Sequence, residues 1–250
     1  MAVRQVALTY YNNRVIYFTS MRPQELRHER HQRGWSQDYL ARRLSVSQAY
    51  VNQLENGKRR LTSTLERKLA GVFDSPVLLP LDEQFRPDQN VSTDQLVNAF
   101  AKLGYPGFAY ARSRSARKNP GEVLLTALAQ EALDPRVAEA LPWFPLQYWT
   151  LKQDWLVGQA RKFNLQNRLG FVVNLARRLS ERGQHNPQRT EALATLEQAL
   201  ANSRLAHEDT FGPPQTNVEK NWLRRNRPEE ALYWNLLTDM RPEHLNYDAA

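Results

Sequence analysis

Between positions 21 and 73, apolar residues recur every three or four positions in four short runs. Residues that start or stop helices bound each run. Pro23 suits a first helical turn, where its missing N–H costs nothing, and that run extends to about Gln32 before Gly34. Ser36 is a good N-cap for residues 37–44, in which Tyr39, Leu40 and Leu44 recur at helical spacing. Ser45-Val46 is a tight connection. Ser47 then caps residues 48–55, with Val51 and Leu54 inward. Asn56-Gly57 ends that helix, because glycine takes the left-handed position after a helix without penalty. Thr62 or Ser63 opens a fourth helix carrying Leu65, Leu69, Val72 and Phe73.

The flanking segments read differently. In residues 1–20, two β-branched and aromatic runs (6–11 and 14–18) are separated by Asn12-Asn13, so the segment is either a short β-hairpin or an N-terminal extension. Residues 74–95 contain Pro76, Pro80 and Pro87 and read as a linker. Residues 96–250 are mainly helical, with candidate helices at 93–103, 121–132, 135–140, 151–164, 166–182, 187–205, 217–225 and 228–237. Between them lie prolines and aromatic clusters such as Leu141-Pro142-Trp143-Phe144-Pro145. The predicted fold class is all-α. A helix-turn-helix bundle at 21–73 is followed by a larger helical regulatory or interaction domain at 96–250, and the hairpin is one reading of the N-terminus.

Composition narrows the function classes. The chain has no cysteine, which excludes a disulfide scaffold and a thiolate zinc site. No apolar run approaches the ~18 residues of a membrane span, and the first twenty residues lack a signal peptide's apolar core, so a cytoplasmic, non-membrane protein is expected. The net charge of +8 suits a polyanionic partner only where it is concentrated. Residues 21–73 carry 11 basic and 5 acidic side chains, and residues 101–120 carry 5 basic and none acidic. Residues 121–250 carry 15 and 16, leaving that stretch no electrostatic reason to meet DNA.

Two serine-capped helices joined by a tight turn form a helix-turn-helix. The stretch from Trp35 to Arg59 resembles the phage repressor–Cro (XRE-like) family of transcriptional regulators. Gln37 opens the first helix of the pair, Leu40-Ala41 supplies a small packing step, and Leu54-Glu55-Asn56-Gly57-Lys58 closes the second helix. Ser45 departs from the family, which often has glycine in the turn.

The resemblance implies that the second helix enters the major groove with its N-terminal residues at the base edges. Gln48, Ala49, Asn52 and Gln53 are the candidate base readers. Gln pairs bidentately with adenine, and Ala49 suits a thymine methyl. Gln37 is carried over as a phosphate contact at a helix N-terminus. Arg43, Asn56, Lys58, Arg59 and Arg60 complete the candidate phosphate contacts. Each basic residue alone reads as a solvated surface charge. Their placement around the helix pair favours DNA.

The second basic block holds Arg112, Arg114, Arg117 and Lys118. It reads either as an accessory nucleic-acid arm or as an ordinary exposed loop. No catalytic residues, cofactor or metal are expected. The chain has no glycine-rich phosphate loop and no His-Glu-x-x-His motif, and His28 and His31 lack a third ligand.

Within the C-terminal region, Gln166–Phe171, Asn221–Pro228 and Trp234–Asp239 resemble helix-turn-helix regulators encoded beside abortive-infection-type nucleotidyltransferase toxins. That resemblance implies an antitoxin-like repressor of its own operon. Such a protein would be a homodimer on a palindromic double-stranded operator, with a cognate toxin as protein partner. The alternative is an interaction module that neutralises a toxin and binds DNA incidentally. Trp143, Trp149, Trp155, Trp222 and Trp234 are either core residues or interface anchors.

Overall fold

The computed structural model describes residues 10–11, 14–15, 21–82, 84–111, 116–183, 186–212, 216–245 and 247. The architecture is helical, with a helix-turn-helix bundle followed by a larger helical region. Near the N-terminus, β1 (Tyr10–Tyr11) and β2 (Arg14–Val15) pair antiparallel, Tyr10 opposite Val15 and Tyr11 opposite Arg14. Asn12-Asn13 and the outer parts of the two expected strands lie outside the described residues. Two compact units divide the chain: Met1–Asp74 with Pro80–Gln84, and Ser75–Leu79 with Phe85–Ala250.

The first unit contains α1 (Pro23–Gln32), α2 (Gln37–Leu44), α3 (Gln48–Glu55) and α4 (Ser63–Val72). Local chemistry sets their ends. The hydroxyls of Ser36, Ser47 and Thr62 accept from the backbone N–H three residues on, at Tyr39, Tyr50 and Leu65. Gly57 adopts φ 71°, and the Lys58 N–H reaches back to the Gln53 carbonyl, closing α3 in a Schellman turn. Leu26, Leu40, Leu44, Val51, Leu54, Leu69 and Phe73 form the core of this unit. Trp35 stacks on Phe73 with ring centroids 5.5 Å apart.

The second unit contains α5 (Thr93–Lys102), α6 (Pro120–Leu128), α7 (Pro135–Ala140), α8 (Trp143–Gln147), α9 (Gln153–Lys162), α10 (Gln166–Arg182), α11 (Pro187–Ala201), α12 (Asn217–Asn226) and α13 (Glu229–Tyr233). Part of the 141–145 stretch, expected as an aromatic cluster between helices, falls within α8. Pro142 precedes its first turn and Pro145 lies within it, where no intrahelical N–H is needed. The expected 121–132 helix stops at Leu128. Gln130 there donates to the Thr126 and Asp88 carbonyls instead of continuing the helix.

The centre of the unit is α10. Its Leu169, Phe171, Val172, Val173, Leu175 and Ala176 are fully buried, and it packs along α11. Gly170 lies against the indole of Trp234. A Cβ added at Gly170 would come within 2.2–2.5 Å of that ring, so only glycine admits it. The Asn167 side chain donates to the Leu205 carbonyl and accepts from the Leu205 N–H. Arg168 makes two 2.7 Å bonds to Asp209 and two more to the Leu128 and Gln130 carbonyls. The segments around 166–171 and 234–239 thus carry much of the packing of this core, while the buried Gln166 amide oxygen and Trp234 indole N–H have no hydrogen-bond partner among the described residues.

Candidate nucleic-acid interface

The turn between α2 and α3 is built on Ser45, at φ 58° and ψ 46° in the left-handed region. The Ser45 N–H bonds the Arg42 carbonyl and the Val46 N–H bonds the Ala41 carbonyl, so α2 ends in a Schellman turn made with serine. This turn directs the chain into the Ser47 cap of α3.

A buried charge cluster then fixes α3 against α1 and α2. Glu55 has a fully buried side chain and takes two bonds from Arg30, at 2.6 and 3.0 Å. The Gln37 amide donates to Glu55 at 2.8 Å, and Arg27 lies 3.7 Å away. Arg30 also donates to the Trp35 carbonyl. Burial pushes the Glu55 carboxyl up, but the hydrogen bonds from Arg30 and Gln37 and the charges of Arg30 and Arg27 outweigh it. The net effect holds the carboxyl below the usual carboxylate range, so it stays ionised. The network continues outward. Asn56 donates to Asn52 at 3.0 Å and accepts from Arg27 at 2.7 Å, while Asn52 has a long 3.5 Å contact to the Gln37 amide oxygen.

Gln48, Ala49 and Asn52 are exposed on α3, and Gln53 is half-buried. Gln48 makes no hydrogen bond with the described residues, whereas Gln53 accepts from Arg59 at 2.9 Å. The Arg59 guanidinium also lies 5.6 Å from the Tyr50 ring centroid. Lys58, Arg59 and Arg60 are exposed beyond the C-terminus of α3. Arg43 is exposed on α2, with its guanidinium 5.7 Å from the Trp35 ring centroid. Gln37 is half-buried at the start of α2 with its amide committed to Glu55, and Asn56 is exposed but bonded through both ends of its amide. The four α3 residues and the cations near its C-terminus therefore belong to one small unit.

Arg112 and Arg114 are outside the described residues, and Arg117 and Lys118 are exposed just before Asn119, which caps α6. His28 meets Gln32, and His31 meets Arg30. Among the described residues, no group of three or more His, Asp or Glu side chains could hold a metal ion.

Sequence reasoning missed Arg30, Arg27 and Glu55. The run Leu54-Glu55-Asn56-Gly57-Lys58 was legible as a helix end, yet nothing local joins Glu55 to an arginine 25 residues earlier.

Residues 26–78 match the helix-turn-helix family model. The protein carries an XRE-like helix-turn-helix domain, a DNA-binding and regulatory rather than catalytic domain of transcription regulators. No curated protein and no solved structure matches the chain. Among the described residues, no helix is long and apolar enough to cross a membrane.

Proposed function

We propose that the protein is a sequence-specific repressor that reads a palindromic operator as a homodimer in the cytoplasm. The observation that carries this reading is the exposed face of α3, which begins at the helix N-terminus. Gln48, Ala49 and Asn52 project from a helix locked at its other end by the Arg30–Glu55 pair, so the reading side chains are held on a fixed support. Gln48, Ala49, Asn52 and Gln53 read bases. The cations Arg43, Lys58, Arg59 and Arg60 contact phosphates, with Gln37 contributing at its helix N-terminus and Asn56 at the end of α3. Footprinting on the DNA upstream of the gene tests the reading. Gln48→Ala is expected to lower affinity for the protected site by roughly 1–3 kcal/mol and leave random DNA unaffected. Lys58→Ala is expected to weaken both and to reduce the log–log salt slope by about one. Equal losses on both DNAs for Gln48→Ala would remove it from the base-reading set.

The second reading adds a protein partner, an abortive-infection-type toxin whose operon the protein represses. One feature favours it: α12 contributes no buried residue, and its Val218 and Trp222 are 79% and 54% exposed four residues apart. Retention of the adjacent gene's product after deletion of residues 21–73 supports an interaction role for the C-terminal region. Loss of the partner together with those residues contradicts it.

A further inference from the structure

The C-terminal end of α2 and the last turns of α4 border an open, shallow groove of about 460 Å³ in the first unit. This lies within the ~300–1,000 Å³ range of small-molecule sites. Arg43, Ser45, Arg67 and Lys68 line it with the apolar Leu44, and among the described residues no carboxylate does. Arg67 and Lys68 make no hydrogen bond or ion pair with the described residues. Three cationic residues around one hollow with no counter-charge repel one another and favour an anion between them.

Gly71, also in the lining, is an independent observation. Glycine within a helix is about 1 kcal/mol less favourable than alanine. Gly71 has no positive φ to require it, and a Cβ there would meet no atom within 4 Å. Neither a turn nor close packing accounts for the residue. The backbone at Gly71 borders open space in the groove, with room there for a side chain as small as that of alanine.

We propose that this groove binds a phosphate group, with Arg67 and Lys68 pairing to its oxygens and Arg43 and the Ser45 hydroxyl completing the site. Two sources supply that chemistry: a free nucleotide-sized phosphate, and the backbone of bound DNA.

The test titrates the full chain with inorganic pyrophosphate and with ATP by calorimetry. In parallel it measures the salt dependence of binding to a random 20-base-pair duplex. If the ligand is free, pyrophosphate or ATP binds saturably at one site. Gly71→Glu, which places a carboxylate in the groove, then weakens binding at least tenfold. Gly71→Ala leaves it within twofold, and the duplex salt slope is unchanged by Arg67→Ala. If the ligand is DNA backbone, Arg67→Ala and Lys68→Ala each lower the salt slope by about one, and pyrophosphate competes with the duplex. Either pattern supports the site. Thermal unfolding checks that Gly71→Glu folds, and the double variant Arg67→Ala/Lys68→Ala takes its place if it does not. Salt slopes unchanged by the Arg67 and Lys68 variants, with no saturable binding lost in the groove variants, overturn the proposal.

Discussion

Ser45 shows how one residue can be right for a fold and still suboptimal in it. The left-handed conformation brings Cβ close to backbone oxygen, a penalty of roughly 1–2 kcal/mol that glycine escapes. Ser45 sits there at φ 58°, is exposed, and has no hydrogen bond from its hydroxyl to the described residues. Ser45→Gly is therefore expected to stabilise the first unit by about 1 kcal/mol, read as a higher denaturation midpoint at unchanged slope. A lower midpoint would mean that the extra freedom of glycine in the unfolded chain outweighs the strain. Residue-scale features of this kind were legible in the sequence because caps and turns are local. Ser36, Ser47, Thr62 and Gly57 each act within a few positions of themselves. Glu55 was not legible as an anchor, because its buried environment comes from α1, far away in the chain.

Among elements, α3 depends most on a long-range contact. Its last residue, Glu55, pairs with Arg30 of α1 and accepts from Gln37 of α2, so one carboxylate joins three helices. Removing one member leaves the other charge buried and unpaired. Glu55→Ala is expected to cost about 3–5 kcal/mol, while Arg30→Met/Glu55→Leu, which removes both charges, costs less than either single change. The Glu55 carboxyl is held below its ordinary range, so its folded form binds a proton less readily than the unfolded chain. Its stabilisation is complete above the ordinary Glu pKa of about 4.3 and is lost as pH falls through the lower folded value. Urea titrations from pH 6 to pH 3 check this: the parent loses stability more steeply than the double variant. Element boundaries were less legible in the second unit. The expected 121–132 helix ended early because Gln130 found backbone partners, a competition that helical periodicity does not register.

The whole molecule divides its chemistry between two cores. The basic excess of residues 21–73 belongs to the unit with the helix-turn-helix, while 121–250 is nearly neutral. Two of the three segments that resemble toxin-linked regulators, 166–171 and 234–239, also pack in the second core. Gly170 and Trp234 meet although 64 positions apart in the chain, which no local reading reveals. Gly170→Ala forces the indole from its site and is expected to destabilise the second unit by about 3 kcal/mol. Affinity for duplex DNA per folded molecule should stay within twofold of the parent, measured by anisotropy below the unfolding transition. A large loss of affinity with the second unit still folded would tie DNA binding to both units.

The polar network around α3 also bears on how the protein can be re-engineered. Asn52 is tied to Asn56 and leans on Gln37, and Gln53 is tied to Arg59, so exchanging either disturbs neighbours as well as the proposed contacts with DNA. Gln48 and Ala49 carry no such obligations. On the proposed reading they are the two positions where a library of substitutions would explore new DNA sequences while the scaffold stays unchanged.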